Sequence, residues 1–207
     1  MSDASTTRRV RKSPEQRRTE VSAAAIELAL DSGLDAVTLR AVAARVGVAP
    51  GLVAHYIPSM DVLVAETFGE IVAGELRGVV VLLEGVDAAP QRLGLLIDTV
   101  LDGSRRDVTL VWVQGWALGS RNDALAARVR GEMDAWQQMI AAEIERGKQA
   151  GAFGEVDADA IAWHLLAMID GLGAHGLVRW REHPERADLT RRVLAGLLGV
   201  QPAALEP

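Results

Sequence analysis

The tryptophans of this sequence are the residues whose type and spacing most directly indicate a binding chemistry. Five tryptophans occur beside one tyrosine and two phenylalanines. Trp112 and Trp116 are four residues apart, so they share one face of a helix, and Trp136 stands beside Met139 in a later helical pattern. Indole faces attract organic cations. Together with Phe68, these residues predict a ligand pocket for which a quaternary ammonium is one candidate; the alternative is an ordinary core filled by large aromatics.

Three of the ionisable residues in the predicted helix 158–180 are candidates for a function. His164 and His175 are eleven positions apart, which is too far for one metal site, so we interpret them as buried or interface histidines. Asp170 stands in an apolar stretch and needs a partner if it is buried; it can anchor either a dimer interface or a cationic ligand. Small residues nearby allow close helix approach and favour the dimer: Gly171, Gly173, Ala174 and Gly176.

The sequence offers little support for catalysis or for a bound metal. It contains no P-loop, no dinucleotide glycine pattern, no HExxH motif and no defensible Ser–His–Asp spacing. It also contains no cysteine, which rules out thiolate metal sites and disulfides. We therefore expect no catalytic site, no metal and no cofactor. An enzyme stays an alternative because a cleft can be assembled from residues distant in sequence.

Charge is distributed unevenly along the chain. The net charge of the 207 residues is −6, but residues 1–63 carry eight Lys/Arg against seven Asp/Glu, so the acidic excess lies after residue 63. Six basic residues crowd near the N-terminus: Arg8, Arg9, Arg11, Lys12, Arg17 and Arg18. We predict that residues 1–12 form a flexible basic arm that contacts phosphates or a minor groove. The alternative is a solvated terminus without a partner.

Hydropathy indicates a folded protein outside the membrane. Hydrophobic residues make up 49% of the chain, enough for a sizeable core. The N-terminus lacks the apolar run of a secretory signal, and the longest apolar run, Val79–Leu83, is far shorter than a bilayer span. We expect a cytoplasmic protein.

The stretch Thr38–Leu63 reads as two short helices joined by a tight turn. Thr38 can cap the first helix, Gly47 stands where a helix ends in a left-handed residue, and Pro50 suits the first turn of the second helix. The second helix is too short to be stable alone. The side chains predicted to hold it against the first helix are Leu52, Val53 and Tyr56. A short helix presented in this way fits a DNA major groove, although helical hairpins also occur in proteins that never bind DNA.

This stretch resembles the DNA-binding motif of TetR-type transcriptional repressors. The matching residues are Thr38, Arg40, Val42, Ala43, Gly47, Val48, Gly51, Val53, His55, Tyr56, Asp61 and Leu63. Residues 151–172 are also similar to the corresponding stretch of the betaine-pathway, choline-responsive repressor branch. The resemblance implies an all-α fold, with a three-helix helix-turn-helix head and a helical ligand-binding and dimerisation domain. It further implies a homodimer formed through the last two helices, about 158–180 and 184–198.

The resemblance also implies which residues meet DNA. Arg40 corresponds to an arginine that can read a guanine, or alternatively contact a phosphate. Tyr56 is assigned to a phosphate, with His55 beside it. The backbone at Gly51 can approach the groove closely, and Leu52 can contact a thymine methyl. The full expected set is Thr38, Arg40, Pro50, Gly51, Leu52, His55, Tyr56 and Ser59.

Three positions depart from the family pattern. Ala49 replaces the Ser or Thr that would cap the recognition helix, a loss of ~1 kcal/mol. Met60 stands where a lysine meets a phosphate, and Ala54 stands where a tyrosine often does. Those contacts are not carried over, and we hypothesise that the basic arm compensates for them. The helix start at Ser59 can still bind a phosphate through its backbone N–H groups.

Helical patterns and breaks divide the chain into four parts. We predict the arm 1–12, a helix-turn-helix domain 13–58, a ligand-binding and dimerisation domain 59–200 and a tail 201–207. A first helix starting at Ser13-Pro14 runs to Ser32, and a connecting helix runs from Ser59 to Leu83. The later predicted helices are Pro90–Leu101, Asp107–Leu118, Asp123–Gln149, Ala158–Trp180 and Pro184–Leu198.

The resemblance predicts a homodimeric repressor that binds a pseudo-palindromic double-stranded operator and is released by a small-molecule effector. Two alternatives stay open. One is a helix-turn-helix regulator that lacks a small-molecule effector or activates transcription. The other is a carrier or enzyme on the same fold that does not bind DNA, which the departures at Ala49, Ala54 and Met60 favour.

Overall fold

The computed structural model describes residues 12–180 and 183–206, with the backbone alone at 183 and 184. Within these ranges the chain is helical and contains no strand, which confirms the predicted all-α fold. The α-helices in chain order are α1 (Pro14–Ser32), α2 (Leu39–Val46), α3 (Pro50–Tyr56), α4 (Met60–Glu84), α5 (Ala89–Leu101), α6 (Arg106–Gly119), α7 (Asp123–Gln149), α8 (Ala158–Leu177) and α9 (His183–Leu198).

Helices α1–α3 form the head, and local chemistry fixes their ends. Ser13 and Gln16 make a capping box, with the Gln16 N–H donating to Ser13 Oγ at 3.1 Å and the Ser13 N–H donating to Gln16 Oε1 at 2.9 Å. The Thr38 hydroxyl accepts from the Ala41 N–H at 3.2 Å and so caps α2. Gly47 ends α2 in the left-handed conformation, at φ 74°. These three caps agree with the sequence prediction.

The recognition helix α3 is held against the head through one face. Val53 is fully buried and Tyr56 is half-buried, so both pack as predicted. The prediction that Leu52 also packs there is wrong, because Leu52 is 37% exposed. Val53 and Tyr56 are three residues apart and share the inner face, which turns Leu52 toward solvent. Ala49 provides no side-chain cap for α3.

Helix α4 connects the head to the body. It begins after Ser59, whose hydroxyl accepts from the Val62 N–H at 3.1 Å, and its 25 residues extend about 37 Å. It packs on α1 of the head and on α7 of the body. A single continuous helix therefore contacts both the head and the body.

The body is built around α7, which packs on α4, α5, α6 and α8. A buried ion pair strengthens this core: the Arg92 guanidinium donates to both oxygens of Glu143 at 2.6 and 2.7 Å, and also to the carbonyl of Leu83. Part of the predicted tail is ordered, since Leu205, in a 3-10 turn, is fully buried against α5. Along the described ranges, no helix is long and apolar enough to cross a membrane.

Candidate DNA-binding surface and ligand cavity

The residues predicted to meet DNA lie at the surface of the head. Tyr56 is half-buried, and its ring lies 5.2 Å from that of His55, nearly perpendicular to it. The exposed members of the set are Thr38, Arg40, Pro50, Gly51, Leu52, His55 and Ser59. Arg40 has no acidic partner in the described part of the chain, whereas Arg45 pairs with Glu27 and Asp31 at 3.0 and 3.1 Å. The guanidinium of Arg40 is therefore available to a nucleic acid.

A groove brings the start of α1 beside the α2–α3 turn. Lys12 and Arg17 line one side of the groove, and Gly47, Leu52 and Tyr56 line the other. Both basic residues also pair with Glu20, which reduces the positive charge they present. Residues 1–11, which contain the rest of the predicted arm, lie outside the described residues.

The body contains a small cavity lined by α4, α5, α6, α7 and α8. Its volume is about 40 Å³, roughly the space of three water molecules. Trp112, Trp116 and Trp136, three of the residues predicted to bind a ligand, all line it. Its other lining residues are Glu75, Val100, Thr109, Val113, Leu166, Ile169, Asp170 and Gly173.

The other two residues predicted for the pocket do not line this cavity. Phe68 is fully buried behind the wall, with its ring 5.1 Å from that of Trp112 and perpendicular to it. Phe68 therefore supports a wall residue. Met139 is half-buried and packs against the core. It lies three residues after Trp136, on the same side of α7, but it is not among the residues that line the cavity.

The two acidic side chains that line the cavity differ in whether a neighbouring group stabilises their negative charge. Glu75 accepts a hydrogen bond from Arg105 at 3.0 Å. Burial raises the pKa of Glu75, while Arg105 and the Trp112 side chain act in the opposite direction. Burial raises the pKa of Asp170 to about 7, and among the described residues no cation or donor offsets that effect. The cavity thus contains one carboxylate without a partner.

Two polar groups in the cavity wall also lack partners. The indole Nε1 atoms of Trp116 and Trp136 are buried and have no acceptor among the described residues. A buried donor without an acceptor costs about 1–3 kcal/mol. The cavity wall therefore contains two N–H donors that lack an acceptor. The sequence pattern did not reveal this polarity.

Sequence reasoning missed Glu75 and left Asp170 undecided. The structure places Asp170 at the cavity, next to Ile169 and one helical turn from Leu166. A signal for Glu75 was present, since it follows Phe68 by two turns of α4 inside an apolar run. The described residues contain no group of histidine and acidic side chains that could hold a metal ion.

A helix-turn-helix head joined to a helical body that contains a cavity is the arrangement of a ligand-responsive transcriptional regulator. Residues 22–67 match the family model for bacterial regulatory proteins of the tetR family. Residues 89–199, more than half of the chain, match the model for the C-terminal domain of BetI-type transcriptional repressors. The chain belongs to the TetR family of transcriptional regulators, with a BetI-type C-terminal domain.

Solved structures share the fold over most of their length. A putative TetR-family regulator from Rhodococcus sp. is 20% identical, with a TM-score of 0.75 over 89% of this chain and 99% of its own. A putative transcriptional regulator from Saccharomonospora viridis in complex with choline is 27% identical, with a TM-score of 0.74 over 89% of this chain and 96% of its own. FadR from Bacillus subtilis in complex with stearoyl-CoA is 17% identical, with a TM-score of 0.68 over 88% and 99%. Among curated proteins, none matches the sequence.

Proposed function

We propose that this regulator is a repressor that a small organic cation, of the quaternary ammonium class, releases from its operator. The observation that carries the proposal is the cavity lined by α4 to α8, in which three indoles and the uncompensated carboxylate of Asp170 line the same space. Indole faces attract a cation, and an ionised carboxylate adds a Coulombic attraction that burial strengthens. A neutral or anionic ligand would gain neither of these interactions.

The size of the cavity explains how such a ligand can act as a switch. Choline is larger than a space of about 40 Å³, so binding must move at least one wall. A ligand that fits only an enlarged cavity shifts the population toward the conformation in which the cavity is open. If that conformation orients the heads wrongly for the operator, the ligand releases the DNA.

The regulator from Saccharomonospora viridis supports choline as the first compound to test, because it was crystallised with choline and shares the fold. The two indole donors without acceptors favour choline over a purely apolar cation. A ligand oxygen could accept from one of them when the wall rearranges. Choline carries such an oxygen, whereas tetramethylammonium does not.

Regulators of the TetR family bind DNA operators and are typically dimers. Helix α9 carries an exposed apolar stripe in which Leu189, Val193 and Leu197 follow one another at four-residue spacing. Exposed apolar residues at and after the end of α8, Val178 and Trp180, support the same interface. We assign homodimerisation to α8 and α9. A Val193→Glu substitution is expected to produce monomers, which sedimentation velocity would detect; a dimer of unchanged stability would contradict the assignment.

We assign operator contact to the exposed residues of α2 and α3 and to the start of α4. In a dimer, the two α3 helices would enter successive major grooves of a pseudo-palindrome, 34–36 Å apart. Binding to the DNA that flanks its own gene, against a scrambled duplex over a salt series, tests this assignment. A specific complex whose log affinity falls linearly with log salt is expected. Equal affinity for both duplexes would reject sequence-specific binding to that DNA.

The ligand assignment is tested by calorimetric titration with choline and tetramethylammonium. Asp170→Asn is expected to weaken the binding of both cations at least tenfold, because it removes the counter-charge. Asp159→Asn is the matched control, since it removes the same charge from an exposed position at the start of the same helix. Wild-type protein that binds neither cation, or an Asp170→Asn variant that binds both normally, would reject the proposed ligand class.

A further inference from the structure

Gln114 connects the helix that forms a wall of the cavity to the head. Its Oε1 accepts a hydrogen bond from the backbone N–H of Leu34, and its Nε2 donates to Asp35 Oδ1 at 2.9 Å. Leu34 and Asp35 lie in the single 3-10 turn between α1 and α2, four and three residues before Thr38, which caps α2. One amide therefore joins α6 to the segment that leads into the helix-turn-helix.

The backbone of the head is shaped to admit this amide. A Cβ atom on Gly33 would lie 2.4 Å from Oε1 of Gln114 and 2.9 Å from its Cδ, which is far inside van der Waals contact. Gly33 also has φ 93°, a conformation that residues with a Cβ rarely adopt. The close approach of Gln114 thus depends on a glycine at this position.

The same helix faces the cavity on its other side. Trp112 and Trp116 line the cavity, and Gln114 lies two residues from each, about 200° around α6. Helix α6 is therefore a partition, with the cavity on one side and the α1–α2 turn on the other. Any enlargement of the cavity that displaces α6 also moves the Gln114 amide relative to Leu34 and Asp35.

We propose that Gln114 couples occupation of the cavity to the orientation of the head, an inference that rests on the proposed function. With the cavity empty, its two hydrogen bonds hold the α1–α2 turn, and with it α2 and α3, in the orientation that binds the operator. When a ligand displaces α6, the amide withdraws from Leu34 and Asp35 and the head is released. Gln114 is a positioning residue in this scheme, since it contacts neither ligand nor DNA.

The test measures operator affinity with and without saturating choline chloride. Gln114→Ala is expected to weaken operator binding by the choline-free protein, so that the ratio of the two dissociation constants falls about tenfold. The affinity of the DNA-free protein for choline is expected to rise, by up to about tenfold, because choline no longer has to break these two hydrogen bonds when it binds. Gln138→Ala, an exposed glutamine on α7, is the matched control and is expected to keep the wild-type ratio.

A charge-matched rescue separates coupling from simple loss of packing. Gln114→Glu removes the donor and places a second carboxylate beside Asp35, so it should reduce the ratio as strongly as Gln114→Ala. Adding Asp35→Asn restores a donor for the new carboxylate and should recover most of the wild-type ratio. Leu34 can donate its N–H to the glutamate in the double variant, as it does to glutamine.

Each outcome decides the proposal. A wild-type ratio in Gln114→Ala, or a double variant no better than Gln114→Glu, overturns it. Faster hydrogen exchange of the Leu34 amide is expected in Gln114→Ala without DNA or choline, and unchanged exchange also overturns it. If choline leaves wild-type operator binding unchanged, the proposed ligand fails separately. Operator affinities of the choline-free variants then decide the role of Gln114, with loss in Gln114→Glu and recovery in the double variant supporting it.

Discussion

The raised pKa of Asp170 determines both the direction and the size of the expected pH dependence of ligand binding. Burial raises the pKa of this carboxyl from 3.8 to about 7 in the ligand-free protein. A cation favours the ionised form, so affinity should be constant well above pH 7 and should fall about tenfold per pH unit below it. Between pH 8 and pH 5 the expected loss is about 100-fold. Choline and tetramethylammonium have no proton to lose in this range, so the slope reports the protein.

The same carboxyl predicts an opposite effect on folding. Its pKa is higher in the folded protein than in the unfolded chain, so the folded state binds more protons between pH 4 and pH 7, and stability falls as pH rises through that interval. A shift of about three units corresponds to at most about 4 kcal/mol. Asp170→Asn is therefore expected to be more stable than wild type at pH 8 and to bind cations poorly.

Calorimetric titrations at half-unit steps from pH 5 to pH 8.5 measure how the affinity for choline and tetramethylammonium depends on pH. Repeating them near pH 7 in buffers of different ionisation enthalpy counts the protons released on binding. Denaturant unfolding of wild type and Asp170→Asn at pH 5.5 and pH 8 measures the stability difference. An affinity that does not vary with pH, or an Asp170→Asn variant that keeps the wild-type slope, would refute the assignment of Asp170 as the counter-ion.

Four further substitutions test other parts of the structure. Arg92→Met leaves the Glu143 carboxylate buried and unpaired, so we expect a loss of about 3–5 kcal/mol in the free energy of unfolding, measured by urea denaturation at neutral pH. Trp116→Phe and Trp136→Phe keep an aromatic face but remove the N–H; if the ligand oxygen accepts there, at least one should weaken choline binding several-fold and leave tetramethylammonium binding nearly unchanged. Arg40→Ala should lower operator affinity: a loss of about 1–3 kcal/mol with relaxed preference at one base pair indicates base readout, whereas a uniform loss with a shallower salt slope indicates a phosphate contact.

The ends of the helices in the head could be predicted because their causes are local. Ser13 with Gln16, Thr38 and Gly47 each act within five residues of their own position, and the structure places all of them as the sequence indicated. Leu52 was assigned to the wrong face because α3 has only two turns. In so short a helix, the choice between adjacent positions depends on the helix against which it packs.

The cavity could be predicted only in part, because it is assembled from five helices. Trp112 and Trp116 share a face of one helix, so their common position follows from spacing. The register of one helix against another is set by packing of the whole body and is not encoded in either segment alone. For that reason Phe68 lies behind the wall and Met139 lies outside it. The bonds from Gln114 to Leu34 and Asp35 bridge about 80 residues and left no pattern in the sequence.

The length of α4 converts a small rotation into a displacement that matters to DNA. If its end in the body acts as a pivot, a tilt of about 5° moves the other end of a 37 Å rod by roughly 3 Å. That distance is close to the separation of about 3.4 Å between neighbouring base pairs. In a dimer the two heads can move in opposite directions, so a few degrees at each cavity are enough to shift their spacing by about two base pairs.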